Sequence, residues 1–173
     1  MQLTPLVVAA VLGLGQTPTA PDDFAFRLEY GVCTTDVLDT FQGTFVRDLG
    51  GPVAPLSIPL MLPQHTRELA FQAVVVAHFL DYPSDFVIKP TSNCAVTSSG
   101  GSCGGSISVF APAYHYKLTV QSAGVTHTVS WQDNTRPSTE EADRLRNLLL
   151  SIIEMIRALP DVQRLPRAQV GCG

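Results

Sequence analysis

Hydrophobic and polar residues alternate in several segments of the chain, which is the pattern of a strand with one buried face. One face of the segment 24–31 carries Phe24, Phe26, Leu28 and Tyr30. The segments 114–120 and 125–131 alternate in the same way on either side of a short turn, so they predict a β-hairpin. The segment 37–49 also favours a strand, although both of its faces carry apolar residues.

Two other segments repeat their apolar residues every three or four positions, as an amphipathic helix does. The first is 65–82, which follows Pro63 and has a predicted buried stripe of Leu69, Ala73, Val76 and Leu80. The second begins after Ser138, which has the capping-box spacing S-x-x-E with Glu141. Its predicted stripe is Leu145, Leu148, Leu149, Ile152, Ile156 and Leu159.

The order of these elements is strand–strand–helix, then an irregular segment, then strand–strand–helix. This ββαββα order predicts the α+β class, with two layers: an antiparallel four-stranded sheet and two helices on one face. Residues 21–173 are expected to form a single domain. The Ser- and Gly-rich segment 89–112 is expected to be an exposed excursion from it.

Residues 1–20 resemble a signal peptide, because an apolar run at 6–14 precedes a short polar stretch. The run is too short to span a bilayer core of about 30 Å. We therefore expect a secreted or periplasmic protein without stable membrane insertion after signal removal. A frayed or buried N-terminal strand is the alternative.

The amino-acid composition indicates a folded domain and argues against a nucleic acid as its partner. Apolar residues make up 45% of the 173 residues and charged residues 15%, which is typical of a folded domain and not of a disordered chain. The net charge is −4, and the basic residues are scattered singly. This pattern argues against a nucleic-acid partner.

Four cysteines in an exported chain favour disulfides, and four allow three pairings. Cys94 and Cys103 are nearest in sequence and are the favoured pair, which leaves Cys33 for Cys172. A zinc site would need a closer C-x₂₋₄-C spacing or neighbouring histidines, so neither a metal nor a cofactor is expected.

No catalytic motif surrounds any of the four histidines, and the chain is not expected to be an enzyme. The segment 131–137 places a carboxylate, an amide and a guanidinium beside Trp131. These groups suit a binding surface that contains Trp131, Asp133 and Arg136. The favoured alternative is structural, with Trp131 in the core and a turn after it.

The strand LDTFQGTFVRD at 38–48 and the W-Q-D step at 131–133 resemble a group of short, uncharacterised exported bacterial proteins. The resemblance implies no activity. More remotely, the element order resembles emfourin, a small bacterial inhibitor of thermolysin-type metalloproteases. That likeness implies an inhibitory role but identifies no inhibitory residue.

These observations predict a secreted, non-catalytic binding module with a protein partner, and protease inhibition is one form that it could take. The alternatives are a structural or accessory protein of the cell envelope and, third, a hydrolase. The excursion, with Asn93, Ser99 and Ser102, is the first candidate for the contact surface. The segment with Trp131, Asp133 and Arg136 is the second.

Overall fold

The computed structural model describes residues 18–88, 94–95, 102–103, 108–136 and 138–168. The main sheet contains β1 (Ala25–Gly31), β2 (Asp36–Asp39), β3 (Thr44–Arg47), β4 (Leu56–Pro59), β5 (Asp85–Phe86), β8 (Ser108–Ser122) and β9 (Val125–Arg136). A separate ladder joins β6 (Cys94–Ala95) to β7 (Ser102–Cys103). The helices are α1 (Gln64–Val76), α2 (Glu140–Arg157) and α3 (Pro160–Gln163), with a 3-10 turn at Phe79–Asp81. None of the helices in the described ranges combines the length and hydrophobicity needed to span a bilayer.

The seven strands of the main sheet lie in the order β4-β3-β2-β1-β8-β9-β5. All neighbours are antiparallel except β5 and β9, which are parallel. The α+β class is therefore correct, but the predicted four-stranded antiparallel sheet is wrong. The segment 37–49 is two strands, because a turn through Gly43, with φ of 64°, divides β2 from β3. The other missed strands, β4 and β5, are too short to show an alternating pattern.

One face of the sheet carries the core, and we call it the helix-side face. The register aligns Phe26 with Val120 and Leu28 with Leu118 on this face, and all four side chains are buried. The helices pack here: the ring of Phe71 in α1 lies 5.1 Å from that of Phe24. The opposite face is polar and carries an ion pair between Arg27 and Asp39.

The buried side of α1 differs from the predicted stripe. Ala70, Phe71 and Val74 face the core. Val76, which belonged to the predicted stripe, is 76% exposed, and Leu69 and Leu80 are also exposed. Arg67 anchors the first turns of α1 to the backbone carbonyls of Pro21 and Phe24, and the helix ends nine residues later, at Val76. The predicted single helix to residue 82 is divided by His78, whose left-handed φ of 52° begins the 3-10 turn.

Five of the six residues of the predicted α2 stripe are confirmed in the core: Leu145, Leu148, Leu149, Ile152 and Ile156. The sixth, Leu159, follows the end of α2 and is only partly buried. The predicted capping box is wrong, because Thr139 is the N-cap and its hydroxyl accepts from the Ala142 N–H at 3.2 Å. The hydroxyl of Ser138 instead donates to Asp143, at 2.7 Å.

The predicted hairpin is confirmed as β8–β9, which turns at Ala123 and Gly124. Both turn residues have positive φ, 50° and 76°, as a type I′ turn requires. Strand β8 begins at Ser108, so the predicted excursion at 89–112 ends earlier than expected. The predicted signal peptide falls largely on residues 1–17, which lie outside the described residues.

Candidate binding cleft

A cleft of about 500 Å³ lies at one end of the helix-side face, between the sheet and α2. Its polar lining is dominated by arginine and tyrosine, and we call it the arginine cleft. The charged and aromatic side chains that line it are Arg47, Arg136, Arg146, Arg157, Asp36, Asp133, Tyr30, Tyr114 and Tyr116. Four of the nine arginines of a chain with net charge −4 therefore meet in one place.

Strand register and helix periodicity bring these side chains together. Asp36, Tyr30, Tyr116 and Trp131 are successive partners across β2, β1, β8 and β9, so they form one row on the helix-side face. On α2, the lining residues are Arg146, Leu150, Ile153 and Arg157. Their spacing of four, three and four places them on one side of the helix. The row and the helix side form opposite walls of the cleft.

Asp133 organises the β9 side of the cleft. Arg146 binds it with two hydrogen bonds, Nε to Oδ2 at 2.6 Å and Nη2 to Oδ1 at 2.7 Å, and Arg136 adds a third at 2.9 Å. Burial alone would raise the pKa of Asp133, but the hydrogen bonds and charges of both arginines outweigh it and lower that pKa. The Arg146 guanidinium also lies 5.3 Å from the centre of the Trp131 ring, a cation–π contact.

Asp36 and Arg47 form the second ion pair, on the side of β2 and β3. Arg47 Nε lies 2.9 Å from Asp36 Oδ2, although the angle does not make a hydrogen bond. Burial raises the pKa of Asp36, and the charge of Arg47 only partly offsets that effect. Arg47 also donates to the carbonyl of Pro166 at 3.4 Å, which holds the segment after α3 beside the cleft.

Burial keeps the hydroxyls of Tyr30 and Tyr116 protonated. Burial raises the pKa of Tyr30 to about 12 and, with the nearby charge of Asp133, the pKa of Tyr116 to about 12. Tyr30 is 4% exposed, and its hydroxyl has no hydrogen-bond partner among the described residues. The hydroxyl oxygen is itself enclosed by protein and lies beside Arg157, so a ligand oxygen cannot reach it without displacing its neighbours.

Arg157, in the last turn of α2, completes the cleft. It forms no ion pair within the described part of the chain. The charge of Arg157 lowers the pKa of Tyr30, although burial raises that pKa by more. The Arg157 guanidinium and the Tyr30 hydroxyl are therefore neighbours.

The loop after β1 forms the rim of the arginine cleft, and its backbone leaves no room for a side chain at Gly31. A Cβ on Gly31 would lie 1.9 Å from the carbonyl oxygen of Thr34, so only glycine fits there without a shift of the backbone.

Cys33, with φ of 62°, is disulfide-bonded. Cys172 lies outside the described residues, so the predicted Cys33–Cys172 pairing stays a prediction. The β6–β7 register places Cys94 opposite Cys103, which is compatible with the other predicted pair.

The structure separates the residues of the predicted contact surface. Asp133 and Arg136 line the arginine cleft, whereas Trp131 is only 3% exposed and belongs to the core beneath it. Ser102 lies in β7, and Asn93 and Ser99 lie outside the described residues. Sequence reasoning missed the three tyrosines and Arg47, Arg146 and Arg157. In the sequence, Arg146 and Arg157 are eleven residues apart, which is about three helical turns. Both therefore lie on the same side of α2, next to its buried stripe, and this spacing is the signal that could have identified them.

The histidines do not take part in the cleft. His127 donates from Nε2 to the carbonyl of Tyr82 at 2.8 Å, and His115 Nε2 lies 2.9 Å from the Thr35 hydroxyl. His78 lies on the surface beside Asp81. The described residues contain no group of three or more His, Cys, Asp and Glu side chains arranged to hold a metal ion.

No protein-family model and no curated protein sequence matches the chain. The resemblances drawn from the LDTFQGTFVRD strand and from the element order therefore stay predictions. Assignment of a function rests on the chemistry of the cleft.

Proposed function

We propose that this protein is a non-catalytic binding module that holds an anionic group of its partner in the arginine cleft. The partner is a protein, met in the secreted or periplasmic space that the leader sequence predicts. Protease inhibition stays a prediction about what that binding achieves.

The excess of positive charge supports this function. Asp36 neutralises Arg47, and Asp133 holds both Arg136 and Arg146. Asp143 adds a second carboxylate to Arg146 from outside the cleft. These pairs leave Arg157, an exposed residue of the cleft lining, without an ion-pair partner among the described residues, so its charge is available to an anion.

The protonation states of Tyr30, Tyr116 and Asp133 favour binding over proton transfer. A general acid or base works best when its pKa lies near the working pH. Tyr30 and Tyr116 have pKa values of about 12, so both hydroxyls stay protonated at neutral pH. The pKa of Asp133 is lowered, so this carboxylate stays ionised and holds its two arginines in place.

A fluorescence titration tests this function. Trp131 is the single tryptophan of the chain and lies under Arg146, so its emission reports on the cleft. Suitable probes are inorganic phosphate, citrate, isovalerate and a short peptide with a free C-terminal carboxylate. We expect at least one of them to change the emission saturably, and added salt to weaken that binding.

The variant Arg157→Gln should weaken the response, because it removes the charge that lacks a partner. Arg164→Gln is the matched control, since Arg164 is an exposed arginine outside the cleft that pairs with Asp161. Absence of a saturable response to every probe would contradict the proposed function. Equal binding by the parent and Arg157→Gln would also contradict it.

A further inference from the structure

We infer, on the basis of the proposed function, that the anionic group is one carboxylate on an apolar body, presented as the C-terminus of a protein partner. Three features of the cleft carry this inference: its charge balance, its free donors and its apolar wall.

The charge balance selects an anion with a single charge. Arg47 is matched by Asp36, and the pair Arg136 and Arg146 is matched by Asp133 and Asp143. Arg157 is the remaining positive charge of the lining. A phosphate dianion would bring two negative charges against this one guanidinium, whereas a carboxylate brings one.

The free donors match the two oxygens of a carboxylate. A guanidinium presents a planar pair of N–H groups that fits a planar carboxylate. The exposed guanidinium of Arg157 can present that pair to both carboxylate oxygens. A phosphate has more oxygens than these donors can satisfy.

The apolar wall lies in the same cleft. Leu150 and Ile153 line it from α2, and Tyr114 lines it from β8. The Tyr114 ring is stacked on Tyr116, with 6.1 Å between ring centres and 10° between planes, yet it remains 54% exposed. This surface suits an apolar or aromatic side chain next to the carboxylate. A peptide that ends in such a residue supplies both groups at adjacent positions.

The test compares acetyl-Ala-Phe with a free carboxylate and the same peptide with a C-terminal amide, by calorimetry on the full chain. Isovalerate and inorganic phosphate are run in parallel. We expect the peptide acid to bind best, and the amide to bind at least about tenfold more weakly because it lacks the charge that Arg157 pairs with. Arg157→Gln should reduce affinity for the acid by about tenfold or more, while Arg164→Gln should leave it unchanged.

The outcomes distinguish this inference from the proposed function. If phosphate binds more tightly than the peptide acid, or acid and amide bind equally, the carboxylate inference is wrong while an anion-binding module remains. If isovalerate binds and the peptide acid does not, the ligand is a free small acid and the C-terminal source is wrong. If no probe binds, both fail.

Discussion

Thr139 and Ser138 are adjacent hydroxyl residues, and either one satisfies the sequence pattern of a helix N-cap. In the structure, Thr139 has the extended backbone of an N-cap, with φ of −105° and ψ of 161°. Ser138 lies one position earlier, and its side chain joins the Asp143 and Arg146 hydrogen bonds. A single position therefore decides which hydroxyl stabilises the first turn of α2.

Substitution of each hydroxyl should give different results. Thr139→Ala leaves an N–H of the first turn without its acceptor and should lower the free energy of unfolding by about 1 kcal/mol. Ser138→Ala removes only partly exposed polar contacts and should change it by less than about 0.5 kcal/mol. Urea denaturation of both variants measures the difference, and a larger loss for Ser138→Ala would show that the cap assignment is wrong.

At the scale of the element, the sequence of α1 does not determine which side of the helix is buried. Valines occupy three successive positions, 74–76, and point to different sides of α1. Apolar residues therefore lie on more than one side of the helix, and more than one side has the spacing of a buried stripe. The ring of Phe24 selects the face of Phe71, and this choice turns Val76 towards solvent. The helix α2 has one continuous stripe instead, so its spacing alone identified Ile152 as buried.

The two sides of α1 should respond to truncation in opposite ways. Phe71→Ala removes a buried ring and should lower the free energy of unfolding by about 3–5 kcal/mol. Val76→Ala should leave it within about 0.5 kcal/mol or raise it slightly, because alanine is the better helix former. Thermal and urea melts compare the two, and a larger loss for Val76→Ala would contradict the orientation of α1.

At the scale of the whole molecule, Asp133 joins the two layers. Its carboxylate on β9 is held by Arg146 of α2, and the Asp133 side chain is only 6% exposed. The lowered pKa of Asp133 means that the folded protein favours the ionised form. This contribution to stability is complete above the ordinary aspartate pKa and is lost as pH falls through the lower pKa of the folded state.

Asp133→Asn should therefore destabilise most at neutral pH, by about 3 kcal/mol, because it leaves Arg146 without its main partner. The difference in unfolding free energy between parent and variant should shrink as pH falls below about 4, where Asp133 of the unfolded chain begins to protonate, and should be lost once pH passes the lower pKa of the folded state. Asp161→Asn is the control, since the exposed pair of Asp161 with Arg164 should contribute less than about 1 kcal/mol. A difference that stays constant from neutral to acid pH would contradict the role of the Asp133 charge.

Local periodicity determined much of the fold from the sequence alone. Alternation over seven or more residues identified β1 and the β8–β9 hairpin, and the stripe of α2 identified its core face. Together they determined the α+β class. Strands of two to four residues, such as β4 and β5, contain too few positions to show a period, so the size of the sheet could not be predicted.

The arginine cleft was decided by tertiary structure. Asp133 and Arg136 could be identified from the sequence because they lie together beside Trp131. Tyr30, Arg47 and Arg157 come from three separate elements, and nothing local to any of them shows a shared site. Strand register sets Tyr30 beside Tyr116, and the packing of α2 brings Arg157 to the same end of the sheet. Charge balance and unsatisfied donors are properties of that assembly, because they depend on which groups become neighbours only after the chain has folded.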